Sequence, residues 1–305
     1  MSDLPAPPLP AGYRSRSATA ADVRAIHRLV VACERDLYGR VEADPDSVAA
    51  ELARPGLDPA ADTLLVHGPA GELVARAWVH RRSEVDVHPG HRGRGLGGAL
   101  LAWVEARARR AGGDRLSQTV ADSDHAAVAL MRSRGYGRLA TAWLLEMALP
   151  VEPEVPEPPA GVTVRRFRSG DERAVHRLTE DAFDEWQQRR KSYEEWARLT
   201  VERAGFAPAA SPVAFADGQL VGTVLSVDTP DVDHGYVALV AVRRDQRNRG
   251  IARLLLRHAF RDFYRQGRRS CELWTHSETG ALPLYQRVGM TVRHSSTVYS
   301  KALGS

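Results

Sequence analysis

The sequence predicts an α/β protein built from two similar domains in tandem. Strand-like apolar runs alternate with longer amphipathic helical patterns in each half of the chain. Three pairs of segments recur at nearly constant spacing, and a period of about 150 residues fits whole domains rather than solenoid repeats. The pairs are residues 87–97 with 242–252, 25–29 with 174–178, and 135–136 with 289–290, at offsets of 155, 149 and 154 residues.

A proline-rich segment separates the two halves. Residues 150–159 contain five prolines, which interrupt helices and sheets and favour an extended spacer. We therefore expect an N-terminal domain over residues 1–149, a linker over 150–160 and a C-terminal domain over 161–305.

The sequence predicts the same order of elements in each half, with a mixed, mostly antiparallel sheet flanked by helices. A hairpin precedes an apolar strand, a glycine-rich turn, a long helix, another strand and a short helix. In the second half the predicted elements are 162–167, a helical stretch 172–203 broken near 191, and 212–216, 221–227, 236–242, 251–266, 270–276, 280–288 and 291–301. In the first half they are 63–66, 73–79, 84–87, 98–110, 116–120 and 125–134.

Composition excludes several classes of protein. The 305 residues carry a net charge of +4, with 43% apolar and 26% charged side chains, which is ordinary for folded domains. No apolar run approaches the roughly 20 residues of a membrane span, and the N-terminus lacks the order of a secretory signal. Cys33 and Cys271 are too few for a disulfide framework or a thiolate metal site. We expect a cytoplasmic monomer or homodimer with no metal and no membrane or nucleic-acid partner.

The repeated turn is the first functional feature. In each half it joins a strand to the N-terminus of a helix, where free N–H groups and the helix dipole bind anions such as phosphate. The spacing Gly93, Gly95, Gly98 also matches a dinucleotide-binding turn, but the acidic residue expected about 20 positions on is absent, and neither turn has a P-loop lysine. The predicted phosphate-binding residues are Arg92, Gly93, Arg94, Gly95, Leu96 and Gly97 in the first half, and Arg247, Asn248, Arg249, Gly250, Ile251, Ala252 and Arg253 in the second.

The order of elements and the turn together resemble the GCN5-related N-acetyltransferase superfamily. The carrying residues are Arg92, Gly95 and Gly97, then Arg247, Gly250 and Ala252, with Tyr285 and Gly289 in the final helix and turn. The resemblance covers nearly the whole chain, and its tandem layout is similar to the mycothiol synthases. It implies transfer of an acetyl group from acetyl-coenzyme A (acetyl-CoA) to an amine. It also implies that the main chain of the preceding strand binds the pantetheine arm, at Val85 and Val87 and at Val240, Ala241 and Val242.

The halves differ at the tyrosine. Tyr285 precedes Gly289 by four residues, whereas the residue four positions before Gly135 is Met131. A neutral tyrosine can protonate the departing thiolate, but a thioether donates no proton. We therefore expect the C-terminal half to be catalytic and the N-terminal half to be a cofactor-binding or structural copy.

The sequence leaves the identity of the general base open. Many superfamily members place a glutamate on the strand before the turn, where this chain has Tyr236. Candidates are His276 and Glu278 after the next strand, with Asp184 and Glu185 as further possibilities. Glu84 occupies a glutamate-like position in the first half and keeps open an active site there.

The resemblance implies that the acceptor meets the first helix pair and the diverging strands of the second half, where aromatic and acidic residues occur. Phe183, Glu185, Trp186 and Tyr236 are the candidate substrate-binding residues, which would suit a cationic amine. The favoured function is N-acetylation of a small-molecule primary amine. The alternatives are a regulatory protein that binds acyl-CoA without turnover and an enzyme that acetylates proteins or peptides.

Overall fold

The computed structural model describes residues 5–41, 43–80, 82–184, 189–228 and 233–304, and confirms the mixed α/β class with two repeated domains. In chain order the strands are β1 (Arg14–Arg16), β2 (Thr63–His67), β3 (Leu73–Val79), β4 (Ser83–Val87), β5 (Arg115–Ala121), β6 (Gly137–Ala148), β7 (Val162–Arg166), β8 (Pro212–Ala216), β9 (Gln219–Asp228), β10 (His234–Val242), β11 (Ser270–His276) and β12 (Thr291–Ala302). The α-helices are α1 (Val23–Tyr38), α2 (Pro45–Leu52), α3 (Pro59–Asp62), α4 (Leu96–Arg110), α5 (His125–Ser133), α6 (Glu172–Phe183), α7 (Tyr193–Leu199), α8 (Ile251–Arg265) and α9 (Leu282–Arg287).

The chain forms two compact units. Unit 1 comprises residues 1–141 and 294–305, and unit 2 comprises residues 142–293. Strand β12 pairs with β5 from Ser296 onward and so belongs to the sheet of unit 1. Residues 142–148 of β6 pair with β11 in unit 2. The compact units therefore differ from the two sequence halves by an exchange of terminal strands, which the repeat pattern alone does not show.

The strands of the two units follow the same order. In unit 1 it is β1-β2-β3-β4-β5-β12, and in unit 2 it is β7-β8-β9-β10-β11-β6. Neighbouring strands are antiparallel except β4 with β5 and β10 with β11, which are parallel. A parallel pair needs a crossover connection, and α4 and α8 supply it. Each unit thus places its glycine-rich turn at the end of one strand of its single parallel pair.

The helix following each turn packs its apolar stripe on the sheet. In unit 2, Leu255, Ala259 and Phe263 of α8 are fully buried with Val224 and Leu273 of the sheet. In unit 1, α4 buries Leu100, Leu101 and Val104 in the same way. This burial fixes the helix axis, and with it the position of the helix N-terminus beside the turn.

Most element predictions are confirmed, within one or two residues at each end. The hairpin between β8 and β9 turns through Asp217 and Gly218, both with positive φ, as the Asp-Gly pair predicts. The helical stretch 172–203 forms two helices, α6 and α7. Helices α2 and α3 were not predicted, although Asp44-Pro45 and Asp58-Pro59 are N-cap and first-turn signals, and both aspartates cap their helices.

Candidate functional site

The two turns have the same backbone conformation, residue for residue. Gly95 and Gly250 adopt φ of 85° and 83° at the helix N-cap. Gly93 and Asn248 both have positive φ, at 74° and 63°, and asparagine is among the few residues that tolerate this region. The sequence repeat therefore encodes one turn geometry twice.

Both helices begin without a capping side chain. The first intrahelical bonds run from Ala99 N to Gly95 O and from Leu254 N to Gly250 O, and neither glycine can supply a side-chain acceptor. The N–H groups of the first helical turn thus remain available and point toward the exposed turn. Such a terminus favours an anion, and the pyrophosphate of coenzyme A fits this donor set.

The first arginine of each turn has a structural role. Arg92 Nε donates to Val87 O at 3.3 Å, and Arg247 Nε donates to Val242 O at 3.4 Å. A second guanidinium nitrogen bonds to a residue of α1 in unit 1 and of α6 in unit 2. Each arginine therefore ties the end of the strand to the first helix of its unit, which leaves the main-chain N–H groups as the principal donors for an anion.

The second arginine of each turn contacts a residue that precedes the first helix of its own unit. Arg94 Nη1 donates to the Tyr13 hydroxyl at 3.2 Å, and Arg249 Nη2 donates to Ala160 O at 3.1 Å. Both side chains are exposed, and so is Arg253 on the first turn of α8. They hold positive charge at the rim of each turn.

Below each turn, the parallel strands diverge into a fork. Strands β10 and β11 pair only from His234 with Ser270 to Tyr236 with Glu272, and β4 pairs with β5 only at Ser83 with Gln118. Beyond these pairs, no described strand of the same unit pairs with the strand edges that face the fork. Val85 and Val87 of β4, and Val240, Ala241 and Val242 of β10, lie on these diverging segments, where main-chain groups can bind an extended amide-bearing ligand.

The fork of unit 1 opens into a cavity of about 240 Å³. The cavity reaches from the turn glycines to Gln118 at the base of the fork, and Cys33, Leu101 and Met131 line its apolar part. Its walls therefore combine the phosphate-binding turn with a narrow apolar cleft, which matches a ligand that has an anionic head and a thioester-bearing arm.

Strand β4 carries two carboxylates that are bound by an arginine of the same unit. Arg76 is buried, with Nε 2.6 Å from Asp86 Oδ2 and Nη2 3.1 Å from Glu84 Oε2. Its guanidinium carbon lies 3.9 Å from the centre of the Trp78 ring. Desolvation raises the pKa of Glu84 despite the attraction of Arg76. Glu84, the first-half candidate for a base, is thus held in an ion pair.

In unit 2 the corresponding positions are uncharged. Leu239 and Ala241 stand on β10 where β4 has Glu84 and Asp86, and they pair with Leu225 and Thr223. Ala241 packs with Leu178 and Ala182 of α6, and Phe183 packs against the same cluster. At these positions the described wall of this fork is therefore apolar.

Tyr285 and Met131 occupy equivalent positions in their helices. Met290 N donates to Tyr285 O, and Tyr136 N donates to Met131 O, so the same turn ends both helices. Tyr285 is 8% exposed among apolar side chains, and this burial raises its pKa to about 12. The phenol is therefore protonated near neutral pH and can donate a proton, which Met131 cannot.

The other candidates of unit 2 are more scattered. His276 ends β11 and Glu278 follows it in a short 3-10 helix, and both are exposed. Tyr236 lies at the base of the fork, and burial raises its pKa. Asp184 is exposed and paired with Arg190. Glu185 and Trp186 lie outside the described residues.

Sequence reasoning missed the cluster of Arg76, Trp78 and Asp86 and the contribution of Cys33 and Gln118 to the cavity. The cluster had a signal, because Glu84 and Asp86 alternate with apolar residues on β4 and the neighbouring strand of the hairpin carries Arg76. The buried Glu272, which pairs with Arg293 at 2.6 Å, was also missed.

Within the described residues, no group of three or more His, Cys, Asp or Glu side chains could hold a metal ion, and no helix is long and apolar enough to cross a membrane.

Comparison with known proteins identifies relatives of similar length and layout. The model of the acetyltransferase (GNAT) family matches residues 25–136 and again residues 173–290. The mycothiol acetyltransferase of Cellulomonas flavigena is 31% identical over 242 residues, which are 73% of this chain and 70% of that protein. The mycothiol acetyltransferase of Catenulispora acidiphila is 27% identical over 310 residues, covering 93% and 96% of the two chains.

Solved structures show the same tandem fold. A GCN5-related N-acetyltransferase from Sphaerobacter thermophilus superimposes with a TM-score of 0.79 at 33% identity, over 98% of both chains. A tandem GNAT protein from the clavulanic acid biosynthesis pathway has a TM-score of 0.69 at 20% identity, over 96% of this chain and 99% of its own, and supports the fold alone. With a family match in each half and the repeated turns and forks, this chain belongs to the acetyltransferase (GNAT) family and is a tandem N-acetyltransferase.

Proposed function

We propose that the chain transfers the acetyl group of acetyl-CoA to a primary amine of a small molecule, and that unit 2 carries out the reaction. The observation that carries this proposal is Tyr285, a buried, neutral phenol at the position where unit 1 has Met131. Relatives named mycothiol acetyltransferase support a small acceptor. Acetyl-CoA supplies the activated acetyl thioester when it is bound.

Different residues of unit 2 bind the cofactor, stabilise the oxyanion and donate the proton. The N–H groups at Gly250, Ile251 and Ala252 hold the pyrophosphate, and the free edge of β10 at Val240 and Val242 aligns the pantetheine arm. A main-chain N–H of this edge can also stabilise the oxyanion formed by attack of the amine. Tyr285 then protonates the leaving sulfur. This assignment needs no metal.

The amine must lose a proton before it attacks. His276 and Glu278 are exposed beyond the end of β11, where either can accept that proton directly or through water. Phe183 contributes an apolar wall beside α6. Glu84 of unit 1 is less suited to this role because Arg76 holds it in an ion pair.

A second role is proposed for unit 1, because its cavity joins the anion-binding turn to the fork. We propose that this unit binds acyl-CoA without turnover. Main-chain groups of Gly93, Gly95 and Gly97 would hold the pyrophosphate, and Val85 and Val87 would align the arm. Met131 in place of a tyrosine and the internal Arg76 pairing would then leave the bound thioester unused.

Matched charge variants test which unit binds and which unit reacts. Gly97→Glu and Ala252→Glu place a carboxylate on the first turn of α4 and α8, where it suits the helix dipole but repels a phosphate. A Cβ at Gly97 would meet only Leu130 Cδ2 at 3.4 Å, so both variants should fold. Like-charge repulsion of several kcal/mol predicts an affinity loss on the order of a hundredfold at the altered site.

The readouts are isothermal titration of acetyl-CoA and release of CoA thiol with a panel of acceptors. The panel contains deacetylated mycothiol, glucosamine, spermidine and a peptide with a free N-terminus. We expect Ala252→Glu to lower kcat/KM far more than Gly97→Glu does, and each variant to lose one binding site. The reverse order of turnover would move catalysis to unit 1. Turnover of the peptide alone would establish a protein acetyltransferase, and binding without turnover of any amine would establish the regulatory alternative.

A further inference from the structure

The base of each fork is closed by a different side chain. In unit 1, Ser83 is fully buried and its hydroxyl lies 3.2 Å from Gln118 Oε1, so it is folded against the partner strand. In unit 2 the last paired residue of β10 is Tyr236, opposite Glu272. One fork therefore ends in a small hydroxyl and the other in a large aromatic ring.

The Tyr236 ring extends along the fork of unit 2. The main chain of Trp274 hydrogen-bonds to the Tyr236 hydroxyl and lowers its pKa, although burial raises it more. Trp274 lies two residues beyond the last paired residue of β11, a rise of about 6.6 Å along a strand. The phenol thus leans from β10 toward β11 in the direction in which the strands separate.

A bulge makes this position the point of divergence. The register of β10 against β9 shifts between Val237 and Leu239, immediately after Tyr236. A bulge bends its strand and increases the local twist, which turns the following residues of β10 away from β11. Tyr236 therefore lies where the opening begins, and the space above it widens toward Gly250.

The direction of a bound acyl-CoA follows from the same geometry. Its pyrophosphate is drawn to the helix N-terminus at Gly250, and the two amides of its pantetheine arm need main-chain partners. The unpaired edge of β10 between Val242 and Leu239 offers such partners. The thioester then lies deeper than the arm, and its acyl chain points toward the base of the fork.

We propose that Tyr236 sets the upper limit on acyl length in unit 2, so that this fork accepts acetyl and excludes longer acyl groups. The inference rests on the proposed function only in taking unit 2 as an acyl-CoA site. It also predicts that the two forks differ, because the cavity of unit 1 has Gln118, at the base of its fork, among its lining residues.

Binding of a homologous series of ligands tests the proposal without an acceptor. Acetyl-, butyryl- and hexanoyl-CoA are titrated into the 305-residue Gly97→Glu protein, in which binding at the turn of unit 1 is weakened. The titrations are repeated with Tyr236→Ser added. With Tyr236 present, we expect butyryl-CoA to bind at least about tenfold more weakly than acetyl-CoA, the lower end of the discrimination of a closed pocket against extra methylenes. Tyr236→Ser copies the residue at the base of the unit 1 fork and should remove this difference.

Two further variants separate volume from hydrogen bonding and from folding. Tyr236→Phe keeps the ring and should keep the preference for acetyl-CoA. Tyr236→Leu retains part of the apolar volume and should give an intermediate ratio if the serine variant does not fold, as judged by circular dichroism. An unchanged acetyl-to-butyryl ratio in Tyr236→Ser or Tyr236→Leu would overturn the role of Tyr236 alone. Absence of acetyl-CoA binding in the Gly97→Glu protein would remove unit 2 as a site and reject both proposals.

Discussion

Unit 1 and unit 2 have the same turn and different forks. The backbone of Gly95 and Gly250 differs by only two degrees in φ, and both helices begin uncapped. Around the forks, Met131 and Glu84 in unit 1 occupy the positions of Tyr285 and Leu239 in unit 2, and the last paired residue before the fork is Ser83 in unit 1 and Tyr236 in unit 2. Ligand binding through main-chain groups can thus be kept while side-chain chemistry is removed or replaced.

The comparison also shows how an ion pair can make a carboxylate unavailable as a general base. Arg76 bonds to both Glu84 and Asp86, so the strand that could supply a base in unit 1 supplies an ion pair instead. Unit 2 has no such cation on the paired strand, where Thr223 and Leu225 stand. Changing these residues one at a time tests how the units differ.

The largest effect is expected at Tyr285. Tyr285→Phe keeps the buried ring and removes only the hydroxyl, and it should lower kcat about a hundredfold, because a positioned proton donor contributes roughly 10²–10⁴-fold. Met131→Leu is the matched change in unit 1, and its effect on kcat should be at least about tenfold smaller, since a thioether donates no proton. Steady-state release of CoA thiol with the best acceptor measures both.

The pH dependence provides a second check on Tyr285. Burial raises its pKa to about 12, and the acid is active only when protonated. Its contribution should therefore be constant from pH 6 to pH 10 and be lost only as the pH rises toward 12. If a loss of activity centred near pH 8 persisted in Tyr285→Phe, the proton donor would be another group, and a kcat of this variant within twofold of the wild type would exclude Tyr285 from proton transfer.

The next effect is on stability. Arg76→Met should lower the free energy of unfolding by about 2–3 kcal/mol, less than the ~3–5 kcal/mol of a fully buried broken pair because both carboxylates are partly exposed. The loss should be larger at pH 8, where Glu84 and Asp86 repel each other, than at pH 4.5, where the folded state takes up protons. Urea unfolding at the two values of pH measures this.

A double variant separates charge from packing in the same cluster. Glu84→Gln in the Arg76→Met background removes the repulsion and should recover part of the lost stability at pH 8. An equal loss at both pH values, with no recovery, would mean that the guanidinium acts mainly by packing on the Trp78 ring.

Local features were predictable from the sequence, and long-range pairings were not. The turns at Gly95 and Gly250 and the helices that follow them depend on glycine conformations and helical periodicity, which are local properties. The exchange of β6 and β12 depends on which strands meet after the chain folds, and two halves with the same order of elements offer similar partners. The pairing of Arg76 with Asp86 requires the register of β3 and β4, which a one-residue shift would destroy.

In the candidate site, too, the residues with local or repeated patterns were predictable and those placed by long-range packing were not. Tyr285 and the turn residues were found because their spacing is repeated or resembles a family pattern. The direction of the Tyr236 ring depends on a bulge after Val237 and on the main chain of Trp274, neither of which leaves a pattern in the sequence. The placement of Cys33 beside the unit 1 turn likewise required α1 to pack against β4.

The smallest effect is expected from the cysteines, and it reports directly on the cavity of unit 1. Burial raises the pKa of the Cys33 thiol to about 12, and it also raises that of Cys271. At pH 8 only roughly one Cys33 in ten thousand is then a thiolate, so iodoacetamide should label it slowly.

Cys33 lines the cavity, whereas Cys271 is fully buried in the core of unit 2. Saturating CoA should therefore slow labelling of Cys33 severalfold, as measured by mass spectrometry, with little change at Cys271, and Gly97→Glu should abolish that protection. Equal protection of both thiols would indicate general stabilisation of the chain, and no protection of Cys33 would mean that the cavity does not bind CoA.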